Sequence, residues 1–344
     1  MDYDKYMKKC IELAKGGEGQ TSPNPLVGCV VLDKDGNEIS TGFHHKYGEN
    51  HAERDALLKL TKGEEKGGTL IVNLEPCSHH GKTPPCADLI IERGLKRVVI
   101  GMQDVNPIVA GNGIKRLKNA GIEVVEHVLE DECKSLNEVF IKNMTQKKVF
   151  VAIKTATTLD GKIATQNGSS KWITSEKARE EVKVIRNRYD AIMTSSATIL
   201  ADNPTMLHRK KIILDRKLRT NLEAPIYKNG EIYLFNDSLD MFEGGVNFIK
   251  TPVHDDKLDL EFVFNKAYEL GIKSVLVESG GHLAGSVLKY ADKIYHFIAP
   301  KITGDNSSLS CFDFQQIDDI NKSLNFKFSD IKSFEPDILV TYYK

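Results

Sequence analysis

The stretch PCSHHGKTPPC at residues 76–86, read together with His51-Ala52-Glu53, decides how the first half of this 344-residue chain folds and what it holds. Cys77, Cys86 and His51 make a mixed sulfur and nitrogen donor set of the kind zinc accepts. Three protein ligands leave a fourth tetrahedral position for water, which is the economy of a catalytic site. Two thiolates and one neutral imidazole balance the charge of the ion, and water on such an ion can ionise at a pH of roughly 7. Glu53, two residues after His51, is not needed as a ligand and is free to move protons, a role worth on the order of 10²–10⁴ in rate. The competing reading is a closed structural zinc site. Such sites use four ligands, usually with close cysteine spacing, whereas Cys77 and Cys86 enclose eight residues.

The local pattern places these groups. Residues 51–60 read as a helix with Ala52, Ala56, Leu57 and Leu60 towards the core. Thr69–Leu74 reads as a buried strand that ends at Glu75-Pro76-Cys77, and a second helix runs from Ala87 to a stop at Gly94. Two helix N-termini would then converge on the metal, and their positive ends favour thiolate over thiol. Strands around Gly28–Leu32, Leu70–Leu74, Arg97–Gly101 and Ile122–Val125 alternate with helices, which predicts an α/β layer on a largely parallel or mixed sheet. Cys133–Lys142 is predicted as a last helix leading into a polar join, Thr145–Lys148, after which Val149–Ala152 opens a new strand. The length exceeds one ordinary core, so two domains are expected, 1–145 and 148–344.

Formal charge is balanced at 47 basic and 48 acidic residues, which argues against an extensive nucleic-acid surface. The first residues lack the long apolar run of a signal peptide, and no stretch is long enough to span a membrane. Six cysteines over this length are no disulfide scaffold; Cys10, Cys29, Cys133 and Cys311 read as small buried residues. A reducing cytoplasm is the expected compartment.

In the second half, Thr158–Ala164 follows a strand and predicts a turn at Asp160-Gly161. Gly168–Ser175 precedes an amphipathic helix with Ala178, Val182, Ile185 and Tyr189 at helical spacing and Ser175 as its N-cap. Ser274–Val277 reads as a strand running into Glu278-Ser279-Gly280-Gly281, small residues before a helix start, a place suited to phosphate as well as to an ordinary turn. No GxGxxG occurs, and the nearest approach, Gly111-Asn112-Gly113, lacks the third glycine, so a Rossmann dinucleotide fold is not supported.

The donor set, the free glutamate and the long spacer together resemble the deaminase half of the bifunctional riboflavin-biosynthesis deaminase/reductase family. Pro23–Val30, Gly42-Phe43-His44 leading to Gly48, and Asn106-Pro107 leading to Ala110–Ile114 agree with it; Asn50 departs, where the family often has proline. TLDGKIA, GSSKWIT, SSATILADNP, VESGG and Ala299-Pro300-Lys301 resemble, in order, the reductase half. The resemblance implies a cytidine-deaminase-like three-layer domain followed by a dihydrofolate-reductase-like domain that uses NADPH. It implies a diamino-pyrimidinone ribotide as substrate, deaminated first and reduced in its ribosyl unit second.

Carried over residue by residue, the resemblance gives His51, Cys77 and Cys86 to zinc and Glu53 to proton transfer, with Asn24, His44, His79 and Lys82 on the deaminase substrate. A solvated loop is the competing reading for His79, His80 and Lys82. For NADPH it points to Ala156, Trp172, Thr198, Asp202 and the run Gly280, Gly281, His282, Leu283, Ala284, Gly285 and Ser286. For the reductase substrate it points to Lys154, Ser170, Arg186, Met206, Arg209 and Glu278, with Arg186 and Arg209 as a bidentate phosphate grip and Asp160 as a further polar group. Trp172 reads equally as core, and Arg186 as a solvated helix residue. His208–Lys211 runs directly into a strand where the family often has an insert, so Lys210 or Lys211 could substitute in the grip. Arg216, Lys217 and Arg219 read first as a solvated turn, with the cofactor's 2′-phosphate as the alternative. Homo-oligomeric assembly is expected for such folds. Two other functions stay open on sequence: a nucleotide deaminase with a non-reducing second domain, and a zinc-stabilised RNA-binding module.

Overall fold

Thr69–Leu74 is buried at every position, as a strand covered on both faces must be, and it organises the first of two units. The computed structural model describes residues 2–79, 84–107, 110–313 and 315–344, and the chain divides into Met1–Lys147 and Lys148–Lys344. The first unit begins α1 (Tyr3–Ala14), β1 (Gly28–Leu32), β2 (Glu38–Phe43), α2 (Ala52–Leu58) and β3 (Thr69–Leu74). It continues α3 (Cys86–Glu92), β4 (Arg97–Met102), α4 (Asn112–Asn119), β5 (Glu123–Val125), α5 (Glu130–Leu136) and α6 (Glu138–Gln146).

Its sheet has the order β2-β1-β3-β4-β5, antiparallel across β2, β1 and β3 and parallel from β3 to β5. Helices α1 and α5 contact each other and the sheet, while α2 meets β1, β2 and α3, and α3 meets α4. The result is a three-layer α/β domain. The parallel pairing sets Leu74 opposite Met102, so the chain leaves β3 and β4 at the same edge. That edge is where an open α/β sheet receives its ligands.

The helix expected at Cys133–Lys142 is instead two helices, broken at Asn137. The reason is polar: the Asn137 side chain accepts from the Leu26 amide at 2.8 Å and donates to the Leu26 carbonyl at 3.0 Å. Asn73 donates to the same carbonyl at 3.0 Å and accepts from Gly28 at 2.8 Å. Two buried amides thus fix the Pro23–Leu26 loop. The polar join is also partly helical, since α6 runs to Gln146 and stops at Lys147, whose φ is 53°.

The second unit begins β6 (Phe150–Thr158), β7 (Lys162–Ala164), α7 (Glu176–Asn187), β8 (Ala191–Ser195), α8 (Ser196–Asp202), β9 (Lys210–Leu214) and β10 (Glu231–Asn236). Next come β11 (Met241–Glu243), β12 (Val246–Lys250), β13 (Val253–His254), β14 (Lys257–Leu258), α9 (Leu260–Glu269), β15 (Ser274–Glu278) and α10 (Gly281–Val287). The unit closes with β16 (Lys293–Ala299), β17 (Leu309–Ser310), β18 (Lys327–Phe334) and β19 (Asp337–Tyr343).

A ten-stranded sheet in the order β11-β12-β10-β9-β8-β15-β6-β16-β19-β18 is its frame. Strands β12 to β16 in that order run parallel, β11 pairs antiparallel with β12, and β19 pairs antiparallel with both β16 and β18. Alternate residues feed two cores, as strand geometry requires: Met193, Ile212 and Phe235 enter one, Ile192, Ile213 and Leu234 the other. Ser175 caps α7 as expected, accepting from Ala178 at 3.3 Å, and Ala178, Val182, Ile185 and Tyr189 are buried.

Replacing Asn137 with alanine leaves a buried amide–carbonyl pair short of its partners. We expect a loss of about 1–3 kcal/mol, read by urea denaturation of the full chain. Wild-type stability in that variant would mean the Pro23–Leu26 loop does not depend on this residue.

Candidate functional site

His51 is the extended N-cap of α2, Cys77 follows β3, and Cys86 is the first residue of α3. Their donor atoms lie within 4.8 Å of one another, with Nδ1 of His51 3.6 Å from each sulfur. The Cys86 amide donates to Cys77 Sγ at 3.3 Å, and the Ala87 amide to the Cys77 carbonyl at 3.1 Å. Helix starts leave such N–H groups free, and here they close the long spacer. The hydrogen bond from Cys86, with His51 beside it, holds Cys77 down to about 4, while the same shared proton and burial push Cys86 well up. Two sulfurs sharing a proton beside an imidazole nitrogen are a donor set that a thiophilic ion fits by displacing that proton. Glu53 is 3 % exposed in the first turn of α2, and burial, then the Cys77 charge, push it up to about 7.

A cavity of about 320 Å³ opens beside these groups, lined among others by Asn24, His44, Glu53, His79, Asp104 and Asn106. His44 is fixed at both ring nitrogens. Asn24 Nδ2 donates to its Nε2 at 3.1 Å, and its Nδ1 donates to the Asn50 carbonyl at 2.9 Å. Burial lowers its pKa, which keeps the ring neutral with that tautomer. His79 is exposed at the rim, whereas Lys82 and His80 lie outside the described residues. Asp104, pushed up to about 6 by burial, and Asn106 were not singled out from sequence as site residues. The available signal was their place just after β4, beside the end of β3.

In the second unit Lys154, Arg186 and Glu278 form one cluster. Arg186 donates to both Glu278 oxygens, at 2.6 and 2.9 Å, and Lys154 Nζ lies 3.9 Å from the same carboxylate. Burial lowers Lys154 and Glu278 opposes it, while the two cations keep Glu278 low against its own burial. Arg186 is therefore not a solvated helix residue, and its fork faces a carboxylate. Arg209 is exposed. Lys211 cannot join a phosphate grip as it stands, because it is 1 % exposed and its ammonium donates to the Ile226 carbonyl. Lys210 lies 3.9 Å from Glu231. Met206 is buried, Ser170 half-buried, and Asp160 accepts from the amides of Thr303 and Gly304 at 3.2 and 2.9 Å.

A larger cavity of about 830 Å³ lies at the carboxyl ends of β8, β9 and the start of α10. Ser196, Leu214, His282, Leu283 and Ser286 line it, together with Arg216, Lys217 and Arg219, so the basic turn faces a cavity instead of bulk water alone. Lys257 and Lys289 add to the positive lining, against Asp256 and Asp259. Volume and charge suit an anionic dinucleotide. Ala156 is half-buried in β6; Thr198, half-buried, and Asp202, exposed, sit on α8. Ala284 and Gly285 are buried in α10. Trp172 is 63 % exposed, not core, with the Arg179 guanidinium 4.4 Å from its ring centre. The smallness of Gly281 and Gly285 has its own cause here: a Cβ on either would collide with the main chain of Ser310 or Asp313. Gly280 has no such neighbour.

Replacing Cys86 with serine removes one sulfur of the three. Metal analysis of the purified variant should show zinc well below the wild-type stoichiometry; full retention would take Cys86 out of the ligand set.

Residues 1–102 match the cytidine and deoxycytidylate deaminase zinc-binding region, and residues 149–340 match the RibD C-terminal domain. The riboflavin biosynthesis protein RibD of Actinobacillus pleuropneumoniae is 40% identical over 355 residues, covering 98% of this chain and 94% of that protein. The RibD protein of Escherichia coli (strain K12) is 36% identical over 363 residues, covering 98% of each. The crystal structure of a diaminohydroxyphosphoribosylaminopyrimidine deaminase/5-amino-6-(5-phosphoribosylamino)uracil reductase from Thermotoga maritima superposes with a TM-score of 0.91 at 41% identity, covering 99% of this chain and 98% of that one.

Proposed function

This chain belongs to the RibD family of bifunctional riboflavin-biosynthesis enzymes, which join a zinc-binding deaminase to a reductase, and we propose that its own residues carry both reactions in order. The first replaces the 2-amino group of 2,5-diamino-6-(5-phosphoribosylamino)pyrimidin-4(3H)-one by oxygen. The second reduces the ribosyl unit of 5-amino-6-(5-phosphoribosylamino)uracil to the ribityl chain. With the family established, a zinc-stabilised RNA-binding module is no longer a competing account.

The convergence of His51, Cys77 and Cys86 within 4.8 Å, with buried Glu53 beside them, carries the deaminase reading. Those three residues hold the zinc, which when bound supplies the Lewis acidity that activates water. Glu53 takes one proton from the attacking water and delivers it to the ring nitrogen, then carries the second proton of that water to the amino group, which leaves as ammonia as the carbonyl forms. Neutral His44, held between Asn24 and the Asn50 carbonyl, presents a fixed edge to the pyrimidine, with His79 and Lys82 as further substrate contacts in this reading. In the second unit, NADPH when bound supplies the hydride. The cavity lined by His282, Leu283 and Ser286 takes the cofactor, with Arg216, Lys217 and Arg219 meeting its phosphates. Ala156, Trp172, Thr198 and Asp202 complete that side. Ser170, Met206, Arg209 and the Lys154–Glu278–Arg186 cluster face the sugar phosphate. Domains 1–145 and 148–344 hold the two activities, and cytoplasmic, homo-oligomeric enzyme is part of the same reading. None of the described helices is long and apolar enough to cross a membrane.

Incubating the zinc-loaded protein with the diaminopyrimidinone ribotide tests both steps by mass spectrometry. We expect amine-to-oxygen exchange without cofactor and a further gain of two hydrogens with NADPH. Exchange without reduction would confine activity to the first unit, and no exchange would overturn the substrate. Replacing Glu53 with glutamine should retain zinc while deamination drops on the order of 10²–10⁴-fold. A variant that deaminates at the wild-type rate would remove Glu53 from the mechanism.

A further inference from the structure

Glu75 directly follows the buried strand β3, stands two residues before Cys77 and is 3 % exposed. A carboxylate is expensive to bury unless its oxygens are fully bonded. Here both are. Oε2 accepts from the Asp104 amide at 3.1 Å and the Gly111 amide at 2.9 Å, and Oε1 accepts from the Gly113 amide at 2.9 Å and the Ile114 amide at 3.2 Å. Charge-assisted bonds of this kind are roughly twice as strong as neutral ones. Two of the donors are among the free amides at the start of α4, where a negative charge is also favoured by the helix dipole.

The pairing on Oε2 is the informative one, because Asp104 and Gly111 are the two ends of a single loop. One oxygen therefore closes that loop as a staple closes a fold. The near end of the loop carries Asp104 and Asn106, which line the cavity beside the metal ligands. Asp104 Oδ1 in turn accepts from the Asn106 amide at 2.8 Å, and the Asn106 carbonyl from the Ala110 amide at 2.9 Å. The far end lies hard against the strand exit, since a Cβ on Gly113 would collide with the Pro76 carbonyl. The same main chain then presents Cys77. Wall and ligand are thus referred to one carboxylate.

We propose that Glu75 is a positioning residue for deamination, setting the Asp104–Asn106 wall against the strand end that carries Cys77. Glu75 also borders the cavity, but both of its oxygens are taken by main-chain amides, so it acts through the wall and not by bonding substrate or metal. The proposal rests on the deaminase reading of the first unit. A glutamine at this position offers one oxygen to one pair of amides and points its own N–H groups at the other pair.

The test compares the full-length, zinc-loaded wild type with Glu75→Gln and Glu75→Asp in steady-state deamination of the diaminopyrimidinone ribotide. For Glu75→Gln we expect KM to rise about tenfold with a smaller fall in kcat, zinc content unchanged, and NADPH-dependent reduction of the deaminated product unchanged. Glu75→Asp keeps both oxygens and should recover part of the KM. An unchanged KM in Glu75→Gln, or zinc lost in step with activity, would overturn the proposal. If Glu75→Gln does not fold, Glu75→Asp carries the measurement: its shorter reach should raise KM with zinc retained, and a wild-type KM would count against the role. Amide hydrogen exchange of the wild type supplies an independent reading. The loop amides of Asp104 and Gly111 should be protected like strand amides; exchange as fast as in open loops would sink the staple whatever the variants do. A wild type that shows no deamination would instead refute the deaminase reading, leaving the exchange result to judge the staple alone.

Discussion

Three donor atoms must come within 4.8 Å of one another although they belong to segments far apart in the chain, and the first unit is arranged to meet that condition. His51 sits at the start of α2, Cys86 at the start of α3, and Cys77 at the exit of β3. Each place is the end of a rigid element, where position is defined but the main chain still has free polar groups. The amides of Cys86 and Ala87 turn back onto Cys77, so the spacer is tied at its base regardless of its length. Such anchoring matters because a site on loops alone would hold its geometry poorly. The buried strand β3 supplies the fixed reference, and the two helices are packed against it or against each other.

The second unit solves a different problem with the same edge of a sheet. Its parallel strands release Ser196, Asp215 and Glu278 at one end, close to where α10 begins. Charge there is partitioned. Arg186 and Lys154 are committed to the buried Glu278, whereas at the cavity Arg216 pairs with the exposed Asp256, Lys217 with Asp237, and Arg219 donates to Ser196. A buried pair with its hydrogen bonds satisfied fixes geometry, whereas pairs at a cavity rim are weak and yield more readily to an anion; the two arrangements differ in their degree of burial.

Much of this was legible in the sequence, and the remainder was hidden for identifiable reasons. The strands Gly28–Leu32, Thr69–Leu74 and Ser274–Glu278 were readable because buried parallel or central strands are continuous apolar runs. The convergence of His51, Cys77 and Cys86 was readable because few chemistries require that donor set. The break at Asn137 was not, because the hydrophobic period runs through it and its cause is a partner at Leu26, more than a hundred residues away. Asp104, Asn106 and Glu75 were not singled out as site residues for a related reason: although Asn106 and Glu75 stood in stretches the sequence marked, the juxtaposition of the three comes from the register between β3 and β4. Lys211 was misread as an available cation, since a lysine among apolar neighbours looks the same on paper whether its end reaches water or a buried carbonyl. Gly281 was noted for its smallness, but one neighbour that requires it, the chain's own 310–313 segment, is invisible to a local reading.

The ten-stranded sheet also has to live with two outer strands, β11 and β18. An unpaired edge is a template on which another chain can add a strand and begin to aggregate. Strand β18 carries Lys327, Asp330 and Lys332 among its exposed residues, and its register slips between Phe328 and Asp330. Fixed charges resist the approach of a second strand, and an irregular register denies it an even ladder of partners. The same stretch also exposes Phe328 and Ile331, which would otherwise invite association. The long sheet is thereby protected at its rim against a further strand by a few residues far from the cavity at its strand ends.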